Sequence, residues 1–414
     1  MASLAKKPVE WERKPIIKLF EVKTGTTPST KNPEYWNGGA VLWYTPADLS
    51  KVNERVYVGF SERRVTERAL QDRNLNVVPK NSIILATRAP VGTLGLTTTE
   101  ATFNQGCKGL VPRDSTQTEP LFYYYYLTME RRALENQSSG STFKELPKPR
   151  LEAFLVPAPA YKEQHKIASI LYTLDRAIQK SKVATEETER LKQGMMRKLL
   201  TKGIGHAEFK NEIFGRIPKV WTTDCLGNCS ERPEYGLTAS ANERSVGPKF
   251  LRITDITDTG VNWSEVPFCI CSSEEEEKYA LKKGDLVFAR IGATTGKSYF
   301  ISETRRAVFA SYLIRIRCKD IILPEYLGYF TQSHHYWEYI NKTKTGQLKG
   351  GINIPIIRSL PVLIPPIAEQ KQIVVILSTV DRKLDLQRQR TAALERLKQG
   401  LMNDLLTGKR RVVA

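Results

Sequence analysis

Residues 163–201 read EQHKIASILYTLDRAIQKSKVATEETERLKQGMMRKLLT, and residues 369–407 read EQKQIVVILSTVDRKLDLQRQRTAALERLKQGLMNDLLT. They align without a gap at an offset of 206, with about 19 identities in about 39 positions. That offset is almost half of the 414-residue chain, so the protein is two copies of one plan. Both copies carry the period of one helix face, Ile167, Ile170, Leu171, Leu174 and Ile178 in the first, Ile373, Ile376, Leu377, Val380 and Leu384 in the second. No proline interrupts either stretch, and Pro157-Ala-Pro159 and Pro365-Pro366 mark where extended chain stops. Each helix is expected to run about 38 residues, roughly 57 Å at 1.5 Å per residue. A narrow apolar seam on helices this long is buried by pairing them with each other. The expected seam sets Ile167, Leu171, Leu174, Ile178, Leu191 and Met195 against Ile373, Leu377, Val380, Leu384, Leu397 and Leu401. The plainer alternative is two unrelated amphipathic helices, each on its own core.

Working outward, residues 1–156 and 206–364 hold most of the aromatics, glycines and prolines. They contain short β-type runs such as Ser82-Ile-Ile-Leu-Ala86 and Asp285-Leu-Val-Phe-Ala289. They also echo each other. Pro79-Lys-Asn-Ser-Ile-Ile-Leu-Ala-Thr-Arg88 lines up with Leu281-Lys-Lys-Gly-Asp-Leu-Val-Phe-Ala-Arg290, and Pro120-Leu-Phe-Tyr-Tyr with Pro324-Glu-Tyr-Leu-Gly. The predicted order is a globular α+β domain (1–156), a spacer helix (157–205), a second globular α+β domain (206–364) and a second spacer helix (365–414). Similar spacers with dissimilar heads point to one scaffold presenting two specificities.

Lys and Arg number 63 against 44 Asp and Glu, a formal net charge of +19. Such an excess points to a polyanionic partner, because neutralising phosphates releases condensed counterions. No apolar run approaches the roughly 20 residues that span a bilayer, and the first residues lack the apolar stretch of a secretory signal. Six scattered cysteines argue against a disulfide framework. Cys225, Cys229, Cys269 and Cys271 lack the usual zinc-knuckle spacing and read as reduced, partly buried thiols of a cytoplasmic protein.

The chain resembles the specificity subunits of type I restriction-modification enzymes. The resemblance rests on Glu163-Gln164, Ile167, Ile170-Leu171 and Leu174-Asp175, duplicated as Glu369-Gln370, Ile373, Ile376-Leu377 and Val380-Asp381. Each set is followed by Leu-Lys-Gln-Gly and Leu-Leu-Thr. Trp11, and Phe214-Gly-Arg-Ile-Pro218 with Trp221, resemble the starts of the family's two recognition domains. Leu42-Trp-Tyr-Thr-Pro-Ala-Asp48 and Leu251-Arg-Ile-Thr-Asp255 resemble one of their strands. The resemblance implies two target recognition domains, each on half of a split, asymmetric site in double-stranded DNA. It implies an antiparallel coiled coil of the two helices with a pseudo-twofold internal repeat. Two modification subunits and restriction subunits are the implied partners. S-adenosylmethionine, ATP and Mg are expected only in those partners, none in this chain, which itself catalyses nothing. The rivals are a stand-alone DNA methyltransferase or nuclease, and a coiled-coil adaptor that never touches DNA.

Four motifs have plainer readings. Asn32-Pro-Glu-Tyr35 is near an adenine-methyltransferase motif, but no apolar strand precedes it, and a loop is expected. Gly292-Ala-Thr-Thr-Gly-Lys-Ser298 has three residues between its glycines where a P-loop needs four, and strand follows, so a Gly-rich hairpin is expected. Phe122–Tyr126 read as core helix, and Glu274–Glu277 as a solvated helix start after Ser272. The candidate DNA contacts are loop residues with hydroxyl, amide or cationic ends. They are Tyr44, Arg88, Lys108, Thr142 and Lys144 in the first half, and Arg232, Tyr235, Arg252, Arg290, Lys297, Gln347 and Lys349 in the second. No metal ligands and no catalytic residues are expected.

Overall fold

A computed structural model describes residues 10–51, 55–139, 144–257, 260–344 and 351–412. The chain falls into two compact units, Met1–Val183 with Arg388–Ala414, and Ala184–Gln387. The long helices Tyr161–Lys202 and Ile367–Leu405 are each divided between the units near mid-length.

In the first unit, β1 (Arg13–Pro15) pairs with β10 (Leu155–Pro157). The main sheet takes the order β2 (Phe20–Thr24), β9 (Cys107–Pro112), β6 (Ile83–Ala86), β7 (Leu94–Thr97), β4 (Tyr57–Val58). A smaller sheet sets β3 (Val41–Tyr44) between β5 (Arg63–Val65) and β8 (Ala101–Phe103), parallel to the latter. Pro120–Met129 forms a helix because Pro120 opens it and the Glu119 carboxylate accepts from Leu121 N–H at 3.2 Å. That helix buries Phe122 through Leu127, as the aromatic run required. Its core is completed by Ile167, Ala168 and Leu171 from the first long helix and by Met402, Leu405 and Leu406 from the end of the second.

The second unit repeats this plan. β13 (Thr222–Cys225) pairs with β20 (Pro361–Ile364), as β1 does with β10. The order β14 (Glu234–Tyr235), β19 (Leu313–Ile316), β16 (Leu286–Ala289), β17 (Ser298–Phe300) reproduces β2-β9-β6-β7. β15 (Lys249–Leu251) lies parallel to β18 (Ala307–Phe309), as β3 does to β8. A hairpin of β11 (Phe209–Glu212) and β12 (Gly215–Pro218) has no counterpart among the described residues of the first unit. The helix Pro324–Phe330 stands where Pro120–Met129 stands, and Ile373 and Leu377 join Met196, Leu199 and Leu200 in its core.

The repeated polar residues fasten each helix pair to its head. Gln164 donates to the carbonyls of Pro159 (2.8 Å) and Gln117 (3.1 Å) and accepts from Glu119 N–H (2.9 Å). Gln370 does the same with Pro365 (2.8 Å), Ile321 (3.1 Å) and Leu323 N–H (2.7 Å). Tyr125 donates to Asp175 at 2.6 Å and Lys398 of the opposing helix pairs with it at 2.5 Å. Tyr329, Asp381 and Lys192 repeat that triad at 2.7 Å for both bonds. Glu163 takes both arms of Arg411 (2.7 Å each), Val412 N–H (3.3 Å) and Trp11 Nε1–H (3.2 Å). Glu369 takes Trp221 Nε1–H (2.8 Å), Ile204 N–H (2.9 Å) and His206 Nε2 (2.8 Å). Each carboxylate therefore joins the start of one long helix, the tail of the other and the tryptophan of its head. In both units low residue numbers on one helix meet high numbers on the other, so the pairing is antiparallel.

The seam departs from the expected one. Leu191 and Leu397 are 54% and 51% exposed and are not part of it. Ser181 and Thr391 meet near its middle at 2.8 Å, and buried Thr188 replaces Leu191. The reason is geometric. A 3–4 spacing carried along 40 residues drifts about 20° per heptad on a straight helix, so an apolar residue in register at one end faces solvent further on. Ile167, Leu171, Ile373 and Leu377 serve the head cores as much as the opposing helix.

Candidate nucleic-acid interface

In the first head, the chain leaving β6 is held on two sides. Thr87 and Arg88 N–H both donate to the Gly106 carbonyl, at 2.8 and 3.3 Å, and Leu146 N–H donates to the Thr87 carbonyl at 2.8 Å. This brings the β6–β7 connection, the β8–β9 turn and the segment before the helix Lys148–Ala153 to one rim. Arg88 is exposed there and pairs with Glu145 at 3.0 Å, with Lys144 exposed beside it. Lys108 is 5% exposed and donates to the Gln105 carbonyl at 3.3 Å. Burial pushes its ammonium below the ordinary lysine range, against the pull of Glu145.

The second head has the same rim. Arg290 N–H donates to the Tyr312 carbonyl at 3.0 Å, and Ile352 N–H to the Arg290 carbonyl at 2.8 Å. Gly351 allows that closure, since a Cβ there would lie 2.9 Å from the Arg290 carbonyl oxygen. The Arg290 guanidinium stacks 4.6 Å over the Tyr235 ring, whose hydroxyl accepts from Ile354 N–H at 3.3 Å. Tyr312 stands half-exposed beside them and Arg232 is exposed. Lys297 closes the β16–β17 hairpin, its N–H bonded to the Thr294 carbonyl.

The two rims differ by one residue from the sequence alignment. Ala86 and Ala289 end equivalent strands, paired with Cys107 and Leu313, so Thr87 rather than Arg88 occupies the place of Arg290. All four residues of β6 and of β16 are buried, so no in-out alternation marked the register. One other expected contact is overturned. Tyr44 is wholly buried, donates to the Val58 carbonyl at 2.9 Å and has its hydroxyl pushed up to about 12 by burial. It ends β3 facing the core, at the position of Leu251 in β15. Arg252 follows β15 and is held by Asp255 through Nε and an amino group (3.1 and 2.8 Å), so its charge is engaged locally. Sequence reading missed the half-exposed Tyr312, whose signal was that it holds in its own head the position that Gly106 holds in the other, once the strands are paired. Thr142, Gln347 and Lys349 lie outside the described residues.

The motifs with plainer readings also find their places. The Asn32 side chain caps Glu34 N–H of a short 3-10 turn at 3.1 Å. Gly292–Lys297 joins antiparallel β16 and β17, where a P-loop would lead into a helix. Ser272 and Glu275 form a reciprocal cap on Ser273–Tyr279. His334 and Glu338 face each other at 3.6 Å on one helix. No helix among the described residues is long and apolar enough to cross a membrane.

Two heads of one α+β design, each tied by the same glutamate, glutamine and aspartate to an antiparallel helix pair, define a duplicated scaffold that presents two different rims. Residues 8–188 and 250–396 match the family described as type I restriction modification DNA specificity domain, and the chain belongs to it. It is 34% identical over 289 residues to the type I restriction enzyme MjaIX specificity subunit of Methanocaldococcus jannaschii, covering 67% of this chain and 64% of that one. It is 26% identical over 292 residues to the EcoKI specificity subunit of Escherichia coli, covering 66% and 61%. Both matches span somewhat less than two thirds of the relative. The fold is that of the type I restriction-modification S subunit from M. genitalium (TM-score 0.62, 15% identity, 98% of each chain). A chain of another type I R-M system is also similar (TM-score 0.57, 17% identity, 98% of this chain and 100% of that one).

Proposed function

We propose that this chain is the DNA-reading specificity subunit of a type I restriction-modification complex. Residues 1–156 and 206–364 serve as its target recognition domains and the helices as the spacer between them. The observation that carries this reading is the pair of equivalent rims with unlike exposed residues, Arg88 and Lys144 in one, Arg290, Tyr235 and Tyr312 in the other. Each rim meets half of a bipartite, asymmetric DNA site, with arginine positioned for phosphate or guanine. The chain docks two modification subunits and, through them, restriction subunits, in the cytoplasm. It holds no cofactor and catalyses nothing; S-adenosylmethionine, ATP and Mg belong to the partners.

The test is methylation sequencing of host DNA after co-expression with the cognate modification subunit. Two short methylated half-sites separated by a fixed gap are expected. Inserting seven residues at mid-length of both long helices keeps the antiparallel match and should lengthen the gap by about 10 Å, roughly three base pairs, with unchanged half-sites. A single uninterrupted motif, or methylation by the purified chain alone, would overturn the reading.

A further inference from the structure

The opening turns of the helix His334–Lys344 in the second unit bring three donor groups together. His334, His335 and Glu338 each offer one ligand atom, and these atoms lie within 4.8 Å of one another. His334 Nδ1 and Glu338 Oε2 are 3.6 Å apart. Neighbouring residues stand about 100° apart around a helix, and a residue four positions after the first stands at about 40°, between them. The two histidines alone would diverge; the glutamate one turn on falls between their rings. Side chains lean towards the helix N-terminus, which aims Glu338 back at both. His334 and Glu338 are exposed and His335 is half-buried. Apart from the His334–Glu338 pair, none of the three has a hydrogen bond or ion pair among the described residues. Phe214, from the turn of the β11–β12 hairpin, meets the His335 ring edge-on at 5.1 Å and Phe330 at 6.2 Å, which holds that ring in place.

Two imidazole nitrogens and one carboxylate oxygen suit zinc, which takes three protein ligands and a water in a tetrahedron. Magnesium and calcium want oxygen donors and are disfavoured. Zinc bonds of about 2.0–2.2 Å set the donor atoms roughly 3.4 Å apart. The His334–Glu338 pair is already near that spacing, and the exposed chains close the rest by changing rotamer. A helix N-terminus by itself disfavours a cation, so the glutamate supplies the negative charge that neutral imidazoles lack. The first unit has no such group. There Arg131 lies against Gly92 as Trp337 lies against Gly296, and the same offset of 206 puts Thr128, Met129 and Arg132 at the three positions.

We propose that His334, His335 and Glu338 form a zinc site, one per chain, that braces the β16–β17 turn of the second unit. The bracing follows from what the same helix carries. Tyr336, the next residue, is wholly buried and donates to the Gly296 carbonyl at 2.5 Å. Gly296 lies so close to the helix that a Cβ there would come within 2.6 Å of Ile340 and 3.1 Å of Trp337. Gly296 N–H in turn donates to the Ala289 carbonyl at 2.8 Å, one residue before Arg290. Metal across the helix start therefore stiffens the support of the turn that follows Arg290.

The test uses the untagged full chain, with zinc titrated calorimetrically, cobalt as a spectroscopic stand-in, and melting followed with and without metal. Wild type should bind one zinc per chain with a Kd at or below about 10 μM. Zinc at about a hundredfold excess over that Kd should raise the melting of the second unit by roughly 5 °C. His334→Ala and Glu338→Gln should each weaken binding at least about tenfold. Both should melt like wild type without metal, since the side chains they alter are exposed. Cobalt should show no sulfur-to-metal charge transfer, because the donors are nitrogen and oxygen. Zinc binding weaker than about 10 μM in wild type, or unchanged within about twofold in both variants, would remove the site. A sulfur charge-transfer band would put the metal on the cysteines and refute it equally. Zinc that binds at these residues without raising the second unit's melting would sink the brace. None of these outcomes bears on DNA reading, which the methylation assay tests by itself.

Discussion

The fastenings at Glu163 and Glu369 and the rims at Thr87 and Arg290 occupy the same places in their two heads, yet one pair is nearly the same and the other is not. At the fastenings, every repeated side chain has a fixed internal partner, so a change in one copy strands a buried polar group. At the rims the backbone bonds are kept and the side chains are free to differ. The duplicated architecture is therefore kept by shared fastenings, while at the rims each head supplies its own partner, Glu145 for Arg88 and Tyr235 for Arg290. Even the fastenings are not twins in depth. Trp221 is wholly buried, while Trp11 is only partly so. Trp221→Ala should cost the second unit about 3–5 kcal/mol, and Trp11→Ala roughly half of that in the first. Calorimetric melting of both variants checks it; equal losses would mean that burial is not what separates the two junctions.

The rims offer the next largest effect. Arg290 is pre-positioned by its stack on Tyr235, while Arg88 is tied to Glu145. Arg290→Ala should relax recognition in one half-site, by about 1–3 kcal/mol at the base pair it contacts. Arg88→Ala should act on the other half-site and by less, since its ion pair must break before it reaches DNA. Competition binding of the assembled complex to sites carrying single base changes measures both. Loss in the same half-site for both variants would break the assignment of one rim to each half.

Much of this was legible in the sequence because helix periodicity and an ungapped repeat survive without any knowledge of packing. Glu163, Gln164 and Asp175 stood out as repeated residues, though their work as links between head, helix and tail needs Trp11, Tyr125 and Lys398, which lie 50 to 223 residues away. The rims were harder. The four buried residues of β6 and of β16 alternate with nothing, so the alignment slipped by one and paired Arg88 with Arg290. Tyr44 looked like a contact because tyrosine is at home in loops and in cores alike, and only the strand partner Phe103 fixes which way it turns. Leu191 and Leu397 carry the helical period, which cannot tell a buried seam from a face left in solvent.

The smallest effect concerns the chemistry that fills each carboxylate clasp. Burial alone would raise the Glu163 carboxyl, but the two arms of Arg411, Val412 N–H and Trp11 Nε1–H outweigh it and hold the group below the ordinary glutamate value. A carboxyl depressed in the folded state adds stability that is fully present above its unfolded value of about 4.3 and is lost as pH falls through the lower folded one. In Arg411→Ala the burial remains and the strongest counterweight is gone, so the carboxyl rises. The variant should lose on the order of 1 kcal/mol at pH 7, modest because Arg411 is partly exposed, and the gap should close on acidification, since the risen carboxyl no longer gives up stability as it protonates and the variant's acid-side decline is the shallower one. The corresponding clasp on Glu369 is built from His206, Ile204 N–H and Trp221 and is untouched by this change. The difference should therefore be confined to the first unit, and thermal melts between pH 7 and 3.5 with a fluorescence probe on each unit can separate them. A gap between variant and wild type that stays the same from pH 7 to 3.5 would mean that Arg411 does not set the charge state of Glu163, and that the first clasp is held by its tryptophan and backbone donors alone.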